Sequence, residues 1–182
     1  MARYVAFLRG INLGKRRIEM DALRALFVEL GFDDVATFIA SGNVLFETKA
    51  RAGSKLAAQI EKHLQESLGY EVPTYIRTRT EIADVVAHKP FPAADMSADA
   101  NTIHVAFLHE ALPDATARTL RAIRTDTDAF SVHGREFYWL CRIPTHESKV
   151  WSLPAMKALK LPPGTMRNIT MLRRLAGQFP DS

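Results

Sequence analysis

A chain of 182 residues with 47% apolar and 24% charged positions has the make-up of a soluble globular protein, able to bury a core without covalent staples and sized between one large domain and two small ones. Its single cysteine, Cys141, excludes an intrachain disulfide and a cysteine-cluster zinc site, and no run approaches the roughly 20 apolar residues of a spanning helix. The formal net charge is only +4, because residues 1–99 balance thirteen Lys/Arg against thirteen Asp/Glu while the remainder holds eleven against seven; a basic end of this size suits nucleic acid, phosphates or acidic partners, or is a solvated helix face.

Residues 4–8 (Tyr-Val-Ala-Phe-Leu) are apolar strand formers. A loop follows, Arg9-Gly10-Ile11-Asn12-Leu13-Gly14-Lys15-Arg16-Arg17, with two glycines, one asparagine and four cations in nine positions. Leu23, Leu26, Phe27 and Leu30 then recur at helical spacing, and Gly31 supplies a C-terminal stop. Residues 35–40 and 44–46 read as strands around a tight turn, Ser41-Gly42-Asn43. A second helix covers about residues 53–68, with Leu56, Ile60 and Leu64 inward and His63 beside them, and Gly69 ends it. Residues 72–77 form the next strand. The order is β-α-β-β-α-β, a ferredoxin-like arrangement. Thr78 and Glu81 make a capping box for a short helix through Ala87.

Prolines and small polar residues between Lys89 and Asp99 break the pattern and read as a linker. The chain then begins again. Residues 105–108 repeat Val5-Ala6-Phe7-Leu8 letter for letter. Pro113 opens a helix whose inward face is Leu112, Thr116, Leu120 and Ile123. Residues 130–132 and 136–140 form a hairpin around His133-Gly134, a helical region after Ser148 is perturbed by Pro154, and residues 165–168 are a short last strand. Asn168 caps a final helix carrying Leu172 and Leu175. The expected fold is α+β: two ferredoxin-like subdomains, alpha-beta plaits related by internal duplication, at 1–88 and 101–182 with a linker at 89–100.

The opening loop has the chemistry of an anion site. Glycines let backbone N–H groups approach an oxyanion, Arg9 offers a planar fork, and Lys15 to Arg17 supply charge. It is not a Walker loop, since Arg16 stands where the magnesium-binding hydroxyl belongs, and it is not GxGxxG. The competing reading is a plain βα connection with solvated cations. Ser41 and Asn43 either present a hydroxyl and an amide beside Arg9 or serve turn geometry alone. Arg167 with Asn168 either brings a second guanidinium to an anion or is a helix cap with a charge. Neither a base for Ser41 nor paired histidines at i, i+4 is visible, so no catalytic residue, no metal and no cofactor are assigned. Phe137, Tyr138 and Trp139 read as core, not as a base-stacking platform, and Cys141 likewise.

Arg9-Gly10-Ile11-Asn12, Met20, Gly31, Ser41-Gly42-Asn43 and Thr165-Met166-Arg167-Asn168 together resemble the DUF1697 family (domain of unknown function 1697) along essentially the whole chain. The resemblance implies a bacterial protein of two ferredoxin-like subdomains with no established reaction. The family usually has a second glycine where Lys15 stands, and Trp-Asn-Thr where Ile169, Thr170 and Met171 stand. The functional expectation is a cytoplasmic protein without membrane contact that binds an anionic ligand, a phosphate-bearing small molecule or a nucleic acid. The expected ligand residues are Arg9, Gly10, Asn12, Lys15, Ser41, Asn43, Arg167 and Asn168, with the ligand held between the first loop and the Arg167 region. The alternatives are an enzyme acting on a phosphorylated or nucleotide-like substrate, in which the same cations would stabilise developing charge, and a protein-protein interaction module. The residues leave the oligomeric state open.

Overall fold

A computed structural model describes residues 1–39 and 42–179. The chain forms two compact units, Met1–Ala83 together with Phe179, and Asp84–Gln178. In the first, β1 (Ala2–Leu8), α1 (Met20–Glu29), β2 (Asp33–Thr37), β3 (Asn43–Thr48), α2 (Ser54–Leu68) and β4 (Thr74–Thr78) precede α3 (Arg79–Ala87). The four strands make one antiparallel sheet in the order β2-β3-β1-β4. This is a ferredoxin-like plait.

β1 reads as a continuous apolar run because both of its faces are buried. Tyr4, Ala6 and Leu8 pack with Phe46 and Ile76 against Leu23 and Phe27 of α1 and Leu56, Ile60 and Leu64 of α2. Val5 and Phe7 alternate to the other face and are buried too. Full burial of a side chain such as Phe27 contributes roughly 2–3 kcal/mol. Gly31 (φ +78°) stops α1, its N–H bonding the Val28 carbonyl, and Gly69 (φ +80°) stops α2. His63 lies at the edge of the α2 stripe, its Nε2 3.0 Å from Glu29 Oε2. The predicted capping box is present in both directions: Glu81 N–H donates to Thr78 Oγ1 and Thr78 N–H to Glu81 Oε2.

The second unit continues with the helical turn α4 (Ala93–Ser97), β5 (Thr102–Phe107), α5 (Asp114–Ala122), β6 (Asp128–His133), β7 (Glu136–Cys141), two single-turn 3-10 helices (Thr145–Glu147 and Val150–Ser152), α6 (Pro154–Ala158), β8 (Thr165–Asn168) and α7 (Ile169–Ala176). Its sheet order, β6-β7-β5-β8, repeats the first. The predicted linker region contains α4, whose Asp95 binds Arg142 through one carboxylate oxygen. Pro113 is the cap of α5 and not its first residue, and Ala117 with Leu120 forms the buried face while Thr116 is half-exposed. Phe130, Phe137, Trp139 and Trp151 build an aromatic core. Tyr138 and Cys141 are fully buried, as their strand position predicts.

One predicted boundary shifts. β2 ends at Thr37, and Asn43 is the first residue of β3, opposite Phe7. Phe38 and Ile39, expected in the strand, lie beyond its end. Ser41 lies outside the described residues.

Candidate functional site

The loop between β1 and α1, residues 9–19, is held by its own residues and by the segment before β4. Asn12 Oδ1 accepts from Ile18 N–H at 2.9 Å. Arg17 Nη1 donates to the carbonyls of Asn12 and Arg16. Ile11 is buried in the core, and its carbonyl accepts from Tyr70 Oη at 3.0 Å. The Arg16 guanidinium lies 4.3 Å from the centre of the Tyr70 ring, a cation–π contact that closes the loop over the segment before β4. Gly10 (φ +69°) and Gly14 (φ +62°) take the left-handed turns this path requires.

Arg9 extends the β1–β4 pairing, its N–H bonding the Pro73 carbonyl. Its guanidinium is exposed and hydrogen-bonds the Tyr75 hydroxyl. Burial raises the Tyr75 pKa from the usual phenol value; the charge and hydrogen bond of Arg9 partly oppose this, and Glu61 adds to it. Lys15, Arg16 and Arg17 are exposed. Among the described residues none of these four cations is ion-paired with a carboxylate.

Asn43, Arg167 and Asn168 each have partners within the chain. Asn43 is fully buried, and its Nδ2 donates to the Phe38 carbonyl while its own carbonyl takes the Phe38 N–H. The next residue back, Gly42 (φ +79°), lies tight against Ile11: an added Cβ would sit 2.7 Å from Ile11 Cγ2 and 3.1 Å from Leu8 Cβ. Loop and hairpin thus brace each other at one end of the first sheet. In the second unit, Arg167 is only 8% exposed, with Nη1 donating to Thr165 Oγ1 and the Met166 carbonyl. Burial lowers its pKa to about 10, which leaves it charged near neutral pH. Asn168 caps α7 by accepting from Thr170 N–H at 2.8 Å.

Two features were not foreseen from sequence. Arg77 of β4 stands opposite Val5 as Arg167 of β8 stands opposite Val105, and each arginine precedes its helix cap, Thr78 or Asn168. The pairing of Arg-Thr with Arg-Asn at the ends of the two halves was the available signal. The second is Asp128, 1% exposed, whose carboxylate accepts from Thr125, Thr127, Ser148 and the Trp139 indole. Burial alone would raise its pKa; the donated hydrogen bonds outweigh that and lower it. Two of those donors come from distant segments, so only the Thr-Asp-Thr-Asp run marked the spot.

Among the described residues no group of three or more metal-ligating side chains occurs, and no helix is long and apolar enough to cross a membrane.

Two plaits, each with a short final strand running directly into a capped helix, define the class of protein. Residues 1–138 match the profile of a family described as "Protein of unknown function (DUF1697)", and the chain belongs to that family. A conserved bacterial protein from Streptococcus pneumoniae has a similar structure, with a TM-score of 0.74 over 98% of each chain at 22% sequence identity, which is a likeness of fold. No curated protein matches the chain.

Proposed function

We propose that the β1–α1 loop binds an anionic, phosphate-bearing ligand, either a small molecule or a nucleic acid. The observation that supports this is the combination of four cations without carboxylate partners and a backbone fixed by Asn12, Ile11 and Tyr70. A fixed, uncompensated cationic loop meets an anion without first ordering itself, so less of the binding energy is lost to entropy. In this reading Arg9 and Lys15 contact the ligand, Gly10 allows close backbone approach, and Asn12 and Asn43 hold the loop and the adjoining hairpin. Arg167 and Asn168 hold β8 and α7. Cytoplasmic location belongs to the same reading, since a reducing setting suits the lone, buried Cys141 thiol. The matching strand orders and arginine positions further support an origin by internal duplication.

Fluorescence anisotropy with a labelled single-stranded oligonucleotide and with a labelled nucleotide tests the reading. Binding is expected to weaken steeply between about 50 and 200 mM salt and to fall roughly tenfold in Arg9→Ala and in Lys15→Ala, each charge-assisted contact contributing about 1.5 kcal/mol. Binding that ignores both salt and Arg9 would refute it.

A further inference from the structure

In the second unit the place equivalent to this loop is open. The segment after β5 has only residues 108–113 before α5 begins at Asp114, against residues 9–19 before α1. In the first unit Ile11 fills the space below the loop and Tyr70 ties it to the segment before β4. In the second, a cleft of about 410 Å³ lies between residues 108–113, the first turn of α5 and residues 159–163. That volume is in the range for small-molecule sites, about 300–1,000 Å³. Next to the cleft in sequence, Gly164 packs tightly on the end of β5: a Cβ there would stand 2.8 Å from Leu108 Cδ2 and 2.9 Å from the Phe107 carbonyl oxygen, so glycine lets β8 close on β5.

The lining is amphipathic in a defined way. Leu108, Leu112, Leu159 and Pro163 supply carbon surface. Glu110 and Lys160 line the same cleft and are both exposed, and neither side chain has a hydrogen-bond or ion-pair partner among the described residues. Two opposite charges are thus left open at one apolar hollow. A ligand with only one charge would meet attraction from one of them and repulsion from the other. A ligand carrying both, on an apolar body, would satisfy both and bury its side chain.

We propose that this cleft binds a small zwitterion with an apolar side chain, of which a branched or aromatic α-amino acid is the simplest form. Its carboxylate faces Lys160, its ammonium faces Glu110, and its side chain lies on Leu108, Leu112 and Leu159. The site shares no residue with the cationic loop.

The test is a titration of the isotope-labelled full chain with L-phenylalanine and L-leucine, followed by amide chemical shifts. 3-Phenylpropionate, lacking the ammonium, and phenethylamine, lacking the carboxylate, are the controls. Saturable shifts are expected at residues 108–116 and 159–164 and not at residues 9–17. Each control should bind about three- to fivefold more weakly than phenylalanine, as one rim ion pair would give. Lys160→Gln should bring phenylalanine down to the level of phenethylamine, and Glu110→Gln to that of 3-phenylpropionate. Both positions are exposed, so the fold should survive, and Thr116→Trp, which fills the cleft, should abolish the shifts. No saturation by about 10 mM, equal binding of the singly charged analogues, or shifts confined to the cationic loop would each overturn the proposal.

Discussion

The two units solve the same topological problem with different material between their third and fourth strands. In the first, a fifteen-residue helix, α2, lays Leu56, Ile60 and Leu64 on the sheet. In the second, two 3-10 turns and the five-residue α6 take its place, and the lost aliphatic stripe is replaced by Trp151 packed edge-on against Phe130 and Trp139, with Val150 and Met156 beside them. The sheet order, the arginine before the cap, and the direct strand-to-helix junction are kept. The difference teaches which parts of a plait are exchangeable. The covering helix needs only to exclude water from one face, and large aromatic rings do that from irregular backbone. The final strand must reach the central strand in register and start a helix at once, and that requirement fixes its chemistry.

Asp128 is the strongest point at which to break the comparison, because the irregular segment depends on it. Asp128→Ala leaves the Trp139 indole and the Ser148, Thr125 and Thr127 hydroxyls without their acceptor, at a cost of about 3 kcal/mol. Both tryptophans lie in the second unit, so urea unfolding followed by tryptophan fluorescence reads this loss there. The same group sets a pH dependence. Its pKa is lower folded than unfolded, so its contribution is complete above the ordinary aspartate value of about 3.9 and disappears as pH falls through and below it. Fluorescence-detected stability should drop in that acid window, and Asp128→Asn should flatten the drop. An unchanged acid profile in Asp128→Asn would count against the assignment.

Gly42→Ala strikes the first unit instead. It places a Cβ 2.7 Å from Ile11 and requires a left-handed φ of an L-residue, costing about 2 kcal/mol. Circular dichroism should register the loss, and whether the tryptophan signal shifts with it reports whether the units unfold together. Asn12→Ala should cost about 1 kcal/mol by freeing the Ile18 N–H, and should weaken anion binding while leaving the second-unit cleft unaffected. The smallest effects test what the units share. Thr78→Ala and Asn168→Ala should each cost about 1 kcal/mol; a large inequality would mean that the two junctions are not equivalent.

What the sequence made legible was local. Thr78 with Glu81 and Asn168 with Thr170 announce their helices because a cap is decided within three residues. The matching tetrapeptides at 5–8 and 105–108 marked both central strands, since a strand buried on two faces tolerates little but small and branched apolar residues. The break-up of the helix after Ser148 was half visible in Pro154. Asn43 was misplaced into a turn because its short amide suits a turn as well as a strand end, and only its pairing with Phe7 across the sheet decides between them. Of the candidate site, the cations and glycines of the loop were legible. The cleft of the second unit was not, for residues 108–113 and 159–163 become neighbours only after folding.

The central position of β1 and β5 bears on how the chain is made. Each is the first strand of its unit to be synthesised, yet each is completed by the last: β1 pairs with β4 at Thr74–Thr78, and β5 with β8 at Thr165–Asn168. The first sheet can close once β4, ending at Thr78, has left the ribosome. The second must hold an apolar central strand with an open edge until β8, some sixty residues after β5, has been translated. A stalled or clipped chain ending before residue 165 would therefore carry one finished sheet and one exposed strand, Ile103 to Phe107, ready to pair with a neighbour.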